Sequence, residues 1–131
     1  LLGDKLSLHG GGASERSFIH IDDVSEATHK VMTKGMPGKT YHISTETSIS
    51  IKGLVWDICS KLNRDPEELV VSTTERLGKD HSYALDSSLI RDDLLWQDNI
   101  SINEGIDRTV GWIKDNLNVL KTMPSEYIHK S

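Results

Sequence analysis

Three basic residues lie where predicted strands meet loops, and they are the side chains best suited to chemistry. Arg16 follows the loop Gly10–Gly12, Arg76 follows a third predicted strand, and Lys79 lies three residues further on. Two arginines at strand edges can clamp a diphosphate, because the guanidinium group is a forked donor that stays charged. The alternative is that each arginine makes a surface ion pair, and spacing alone favours that alternative.

Other candidate groups have simpler structural interpretations. His20, Asp22 and Asp23 could be read as a metal cluster, but a junction between a strand and a helix explains them better. Cys59 lies on the apolar stripe of a predicted helix, which indicates packing and not a nucleophile. The sequence contains no dinucleotide fingerprint, no Walker loop and no serine nucleophile elbow. We therefore assign no catalytic, cofactor-binding or metal-binding residue.

Hydrophobic periodicity predicts an α/β chain of short strands and three to four helices. Strands are predicted at 16–21, 40–44 and 69–73, after an edge segment and loop at 1–15. Helices are predicted to start at Asp22 or Asp23, at Ser50, at Asp86 and at Ser101. Three short strands are few for a self-contained parallel sheet, so we expect some to join a sheet formed by other sequence.

Composition excludes several classes of function. The 131 residues include 15 basic and 20 acidic side chains, a formal net charge of −5, which disfavours nucleic-acid binding. No apolar run is long enough to cross a membrane, and the basic residues are too scattered for a lipid-binding stripe. The single cysteine excludes an internal disulfide and suggests a cytoplasmic location. The chain starts with Leu1, which suggests an internal start.

Five segments resemble, in order, the extended short-chain dehydrogenases/reductases that act on nucleotide sugars. The resemblance spans about residues 1–116, and within the family it is nearest to the 4,6-dehydratases. The first segment, 9–24, is similar to the family's "Tyr-Gly-x-Gly…Arg-x-Phe-x-x-x-x-Asp". The others are 40–44 ("Tyr-Asn-Ile-Gly"), 75–80 ("Asp-Arg-Pro-Gly-His-Asp"), 83–96 ("Tyr-Ala-Ile-Asp…Leu-Gly-Trp") and 101–112 ("Ser-Phe-Glu-Glu-Gly-Leu…Trp").

The resemblance implies a role for particular residues. Arg16 and Arg76 match two arginines that bind the nucleotide, and Lys79 stands where a histidine is usual. His42 matches a substrate-contacting asparagine. The stretch Ser7, Leu8 and His9 matches one that frames the base, with His9 in place of a tyrosine.

The resemblance also implies the place of the chain in a larger enzyme. Residues 1–122 would form a C-terminal lobe that binds a dTDP- or UDP-hexose, and 123–131 would be a tail. NAD and the catalytic Tyr-x-x-x-Lys pair would belong to an upstream Rossmann portion, which is the expected partner of this lobe. A homodimer is left open, as are a 4-epimerase, a decarboxylase, a non-catalytic binding module and an assembly scaffold.

Overall fold

The computed structural model describes residues 1–75, 78 and 80–124, which form a mixed α/β fold. The strands are β1 (Leu6–His9), β2 (Glu15–Arg16), β3 (Ile49–Ser50) and β4 (Val70–Thr73). The helices are α1 (Ile21–Lys34), α2 (Ile51–Lys61), α3 (Pro66–Leu69), α4 (Ser88–Leu94) and α5 (Ile102–Leu120). None of the described helices combines the length and apolar character that crossing a membrane requires.

Local capping signals in the sequence predict two of the helix starts correctly. Ser50 accepts a hydrogen bond from the Gly53 amide (3.0 Å) at α2, and Ser101 accepts one from the Glu104 amide (3.3 Å) at α5. The Glu104 carboxylate accepts a hydrogen bond from Arg108 (2.6 Å), which lies one turn further along α5.

The short helix α3 is an addition to the four helices that periodicity predicts. Asp65 caps it by accepting a hydrogen bond from the Glu67 amide (2.9 Å), and Pro66 occupies its first turn.

Two predicted strands are wrong in whole or in part. Of the segment 16–21, only Arg16 lies in a strand, and residues 40–44 form none. Segment 40–44 follows a strand-like alternation because alternate side chains pack on the core, whereas in 16–21 only Ile19 does so and Ile21 is 66% exposed. Ile19, Tyr41 and Ile43 pack against the buried cluster of Ala27, Ile90, Leu94 and Trp96. The alternation therefore records burial and not strand pairing.

The strands form two separate pairs. Strands β1 and β4 are parallel, with Leu6 opposite Val70 and His9 opposite Thr73. Strands β2 and β3 are antiparallel, with Glu15 opposite Ser50. A single bridge from Glu15 to Ser82 ties β2 to the segment that precedes α4.

A buried carboxylate anchors the first helix. Asp23 is 3% exposed, and its two oxygens accept the amides of Asn99 (3.1 Å) and Ile100 (3.0 Å). Its backbone carbonyl accepts the indole N–H of Trp96 (3.1 Å). The helix itself starts at Ile21, with His20 as its cap, so the prediction that an aspartate caps it is wrong. Asp23 instead links α1 to the connection between α4 and α5.

Replacing Asp23 with alanine should destabilise the fold strongly. The change leaves the amides of Asn99 and Ile100, which make partly buried hydrogen bonds, without their acceptor, and this costs about 1–3 kcal/mol in free energy of unfolding. Urea denaturation measures this loss. Asp22→Ala is the matched control, because the Asp22 side chain is 63% exposed and pairs with Arg108 at the surface. Its loss should stay below about 1 kcal/mol. Equal losses for the two variants would contradict the anchoring role.

Candidate functional site

The candidate site lies at the carboxyl ends of β1 and β4. Because these strands are parallel, their ends meet at one edge, the side on which open α/β sheets bind ligands. His9 ends β1, and its Nδ1 lies 2.9 Å from Thr73 Oγ1 and 3.2 Å from the Thr74 carbonyl oxygen. Leu8 points to the opposite face and is buried, whereas Ser7 is exposed. The structure thus holds the histidine ring against the end of β4.

A glycine turn connects β1 to the arginine strand β2. Gly10–Gly12 forms a 3₁₀ turn in which all three residues have positive φ. Gly12 is buried, and a Cβ there would lie 2.8 Å from the Lys52 amide nitrogen and 2.9 Å from the Leu8 side chain. The missing side chain lets the turn pack against the start of α2.

Arg16 is held mainly by backbone carbonyls. It is half-buried, and its Nη2 donates to the Asp80 carbonyl (2.9 Å) while Nη1 donates to the carbonyls of His81 (3.3 Å) and Glu15 (2.5 Å). The Tyr83 ring centroid lies 4.7 Å from Cζ. Within the described residues Arg16 makes no ion pair. The surface ion-pair alternative for Arg16 therefore does not describe its contacts.

Part of the Arg16 donor set is unused. The guanidinium group has five N–H donors, and three serve the carbonyls of Glu15, Asp80 and His81. Nε–H and one Nη2–H, on neighbouring nitrogens, have no acceptor in the part of the chain that the structure describes. Two such donors can hold two oxygens of one phosphate group. The site therefore combines an uncompensated positive charge with free donors.

His42, Arg76 and Lys79 are the other residues that the sequence predicts for the site. His42 is exposed and lies near Asp86, whose carboxyl pKa is lowered, first by the Ser88 amide that donates to it (2.9 Å) and to a smaller extent by His42. No contact in the described residues joins His42 to Arg16. Arg76 and Lys79 lie outside the described residues.

Sequence reasoning assigned no role to Tyr83 or to the 80–81 backbone. Tyr83 lies inside a segment quoted for the family resemblance, but its contact with Arg16 joins distant parts of the chain. Every residue has a backbone carbonyl oxygen, so a hydrogen bond to one cannot be recognised from the residue types in a sequence. Only the fold brings these groups together.

An open apolar cleft of about 760 Å³ lies between α2 and α5. The apolar stripes of both helices line it, including Leu54, Ile58, Ile106, Val110 and Ile113. Phe18, two residues after Arg16, also lines the cleft. The stripe of α5 thus lines an open surface besides contributing to the core.

Comparison with known proteins identifies the family. No protein-family model matches the chain. The dTDP-glucose 4,6-dehydratase of Mycobacterium tuberculosis is 33% identical over 117 residues, which cover 88% of this chain and 35% of that protein. A trifunctional UDP-glucose 4,6-dehydratase of Arabidopsis thaliana is 32% identical over 87% of this chain and 17% of its own length.

Solved structures agree with these sequence relatives. The dTDP-glucose 4,6-dehydratase of Streptomyces venezuelae, with NAD and TYD bound, superimposes with a TM-score of 0.84 and 30% identity. That match covers 89% of this chain and 36% of the neighbour. The chain therefore has the α/β fold of part of a Rossmann-type dehydratase. It belongs to the extended short-chain dehydrogenase/reductase family and spans about a third of the length of its dTDP-glucose 4,6-dehydratases.

The described residues do not fit NAD. A dinucleotide site needs a glycine turn that leads from a strand into a helix whose amides face the pyrophosphate. Here the Gly10–Gly12 turn leads from β1 into β2. The glycine turn of this chain therefore lacks the strand-to-helix context that a dinucleotide site requires.

Gly12→Ala should damage the fold more than Gly11→Ala. Both residues have positive φ, so each alanine costs about 1–2 kcal/mol through backbone strain. Nothing lies within 4 Å of a Cβ at Gly11, whereas one at Gly12 meets backbone, which adds roughly 1–3 kcal/mol. Thermal unfolding of the two variants measures the difference. Equal melting temperatures would show that the turn does not pack against α2 as closely as described.

Proposed function

We propose that the chain is the substrate-binding part of an NAD-dependent nucleotide-sugar 4,6-dehydratase. The observation that carries the proposal is Arg16, half-buried and without a carboxylate partner among the described residues, with two donors unused. A nucleoside diphosphate supplies the charge and the oxygens that this arrangement lacks. Relatives that act on dTDP-glucose and on UDP-glucose support a dTDP- or UDP-hexose as the substrate.

The remaining roles in this proposal belong to residues outside β2. Ser7 and His9 frame the base at the end of β1, with the His9 ring fixed by Thr73 and the Thr74 carbonyl, while Leu8, buried on the opposite face, holds the strand in place. Arg76 and Lys79 add positive charge to the diphosphate, and His42 contacts the substrate. Residues 1–122 act as one lobe and 123–131 as a tail.

The contribution of this chain to the reaction is positioning. Hydride chemistry belongs to NAD, bound by another part of the enzyme. Contacts with the nucleotide, remote from the reacting sugar, provide binding energy that holds the hexose in register for the transition state. Arg16 suits this task, because the Asp80 and His81 carbonyls hold its guanidinium group and the pairing of β2 with β3 holds its backbone before the ligand arrives.

The partner of this lobe is the rest of the dehydratase. The relatives are about three times as long as the segment that this chain matches. No strand among the described residues pairs with the outer edges of β1 and β4, and the cleft between α2 and α5 is apolar and open. Both features suit burial against a Rossmann portion. The reduced, buried Cys59 is compatible with a cytoplasmic location.

Arg16→Ala should weaken nucleotide binding to the full chain. Loss of two charge-assisted hydrogen bonds costs about 1.5–3 kcal/mol each, measured by calorimetry with dTDP and with UDP. Arg108→Ala is the matched control, because Arg108 is an exposed arginine that pairs with Asp22 and Glu104 on α5. The control should bind like the wild type. Equal weakening in both variants, or no heat with either nucleotide, would overturn the proposed site.

The chain alone should show no dehydratase turnover. It has neither the Tyr-x-x-x-Lys pair nor a dinucleotide loop, so added NAD has no described site. Incubation with dTDP-glucose and NAD, followed by nuclear magnetic resonance of the sugar, should leave the substrate unchanged. Formation of a 4-keto-6-deoxy sugar by the purified chain would contradict the assignment of positioning alone.

A further inference from the structure

Tyr83 is an exposed aromatic residue whose ring lies on the Arg16 guanidinium. The centroid lies 4.7 Å from Cζ, within the range of a cation–π contact. The side chain is 56% exposed, so hydrophobic burial alone does not account for its position. The same segment supplies the Asp80 and His81 carbonyls that accept from Arg16. Ring and carbonyls therefore reach the guanidinium group from one stretch of chain.

These contacts restrict the guanidinium group in two ways. The carbonyls engage N–H groups of Nη1 and Nη2, while Cζ lies over the Tyr83 ring. The backbone of Arg16 is fixed as well, because β2 pairs with β3 and the Glu15 amide donates to the His81 carbonyl (2.8 Å). A free arginine side chain loses rotamer freedom when it binds a ligand, and an arginine that is already ordered loses less.

We propose that Tyr83 is a positioning residue that holds Arg16 in the orientation in which Nε–H and the unused Nη2–H meet the phosphate oxygens. This inference rests on the proposed function, since it names the residue that orders the nucleotide site. Tyr83 acts through Arg16 and needs no contact with the ligand. Its ring is required, and its hydroxyl group is not.

Three variants of the full chain test the proposal. Tyr83→Leu removes the ring and keeps an apolar side chain, Tyr83→Phe keeps the ring, and Leu85→Ala removes a different exposed side chain nearby. Calorimetry with dTDP and with UDP should show Tyr83→Leu binding roughly two- to fivefold more weakly, the loss expected for an exposed cation–π contact. Tyr83→Phe and Leu85→Ala should bind like the wild type.

A second measurement reports the contact without any nucleotide. Ring current from Tyr83 should shift the Arg16 Nε–H proton resonance in the wild type and in Tyr83→Phe, and the shift should vanish in Tyr83→Leu. An unshifted wild-type resonance would overturn the inference and leave the proposed function standing. A shifted resonance with no nucleotide binding by the wild type would overturn the proposed function and the positioning role that rests on it. Tyr83→Leu that binds as tightly as Tyr83→Phe would overturn the positioning role alone.

Discussion

The buried carboxylate of Asp23 is the constraint on which the rest of the fold depends. A charge that is removed from water must be satisfied by hydrogen bonds, and here the donors are the amides of Asn99 and Ile100. Trp96, fully buried, donates to the carbonyl of the same residue. The start of α1 and the connection from α4 to α5 are therefore fixed against each other, although more than 70 residues separate them along the chain. Core packing around Ile90 and Leu94 builds on this link.

The anchor also determines where the candidate site can lie. Arg16 precedes α1 by only a few residues, so the start of α1 limits the path of β2. In addition, β2 pairs with β3 on one side and contacts the segment 81–82 on the other. These ties use backbone groups, which are neutral, and they leave the arginine charge uncompensated by the described residues. Backbone contacts of this kind can order the guanidinium group of an arginine without a carboxylate that would compete with a ligand for its donors.

The sequence predicted those features that depend on neighbours along the chain. Ser50 and Ser101 cap helices because capping is a contact between residues three apart. Arg16 was a candidate because a glycine turn and a strand flank it. The strand predicted at 40–44 is wrong because alternation reports only which side chains face the core, and Tyr41 and Ile43 are partly buried against the cluster of Ala27, Ile90, Leu94 and Trp96. The roles of Asp23 and Tyr83 could not be predicted, since their partners are backbone amides and an arginine that only the fold brings near.

The acidic composition of the chain does not exclude the proposed binding of an acidic ligand at Arg16. The net charge of −5 opposes a diphosphate at long range, but at physiological ionic strength charges further away than about 8 Å are largely screened. Within that distance a diphosphate bound as proposed meets the donors of Arg16, whose described partners are carbonyl oxygens and an aromatic ring. Local geometry, and not the overall charge of the chain, therefore decides the affinity. The same reasoning explains why composition could exclude a nucleic-acid surface, which needs positive charge along many phosphates, without excluding a site for one diphosphate.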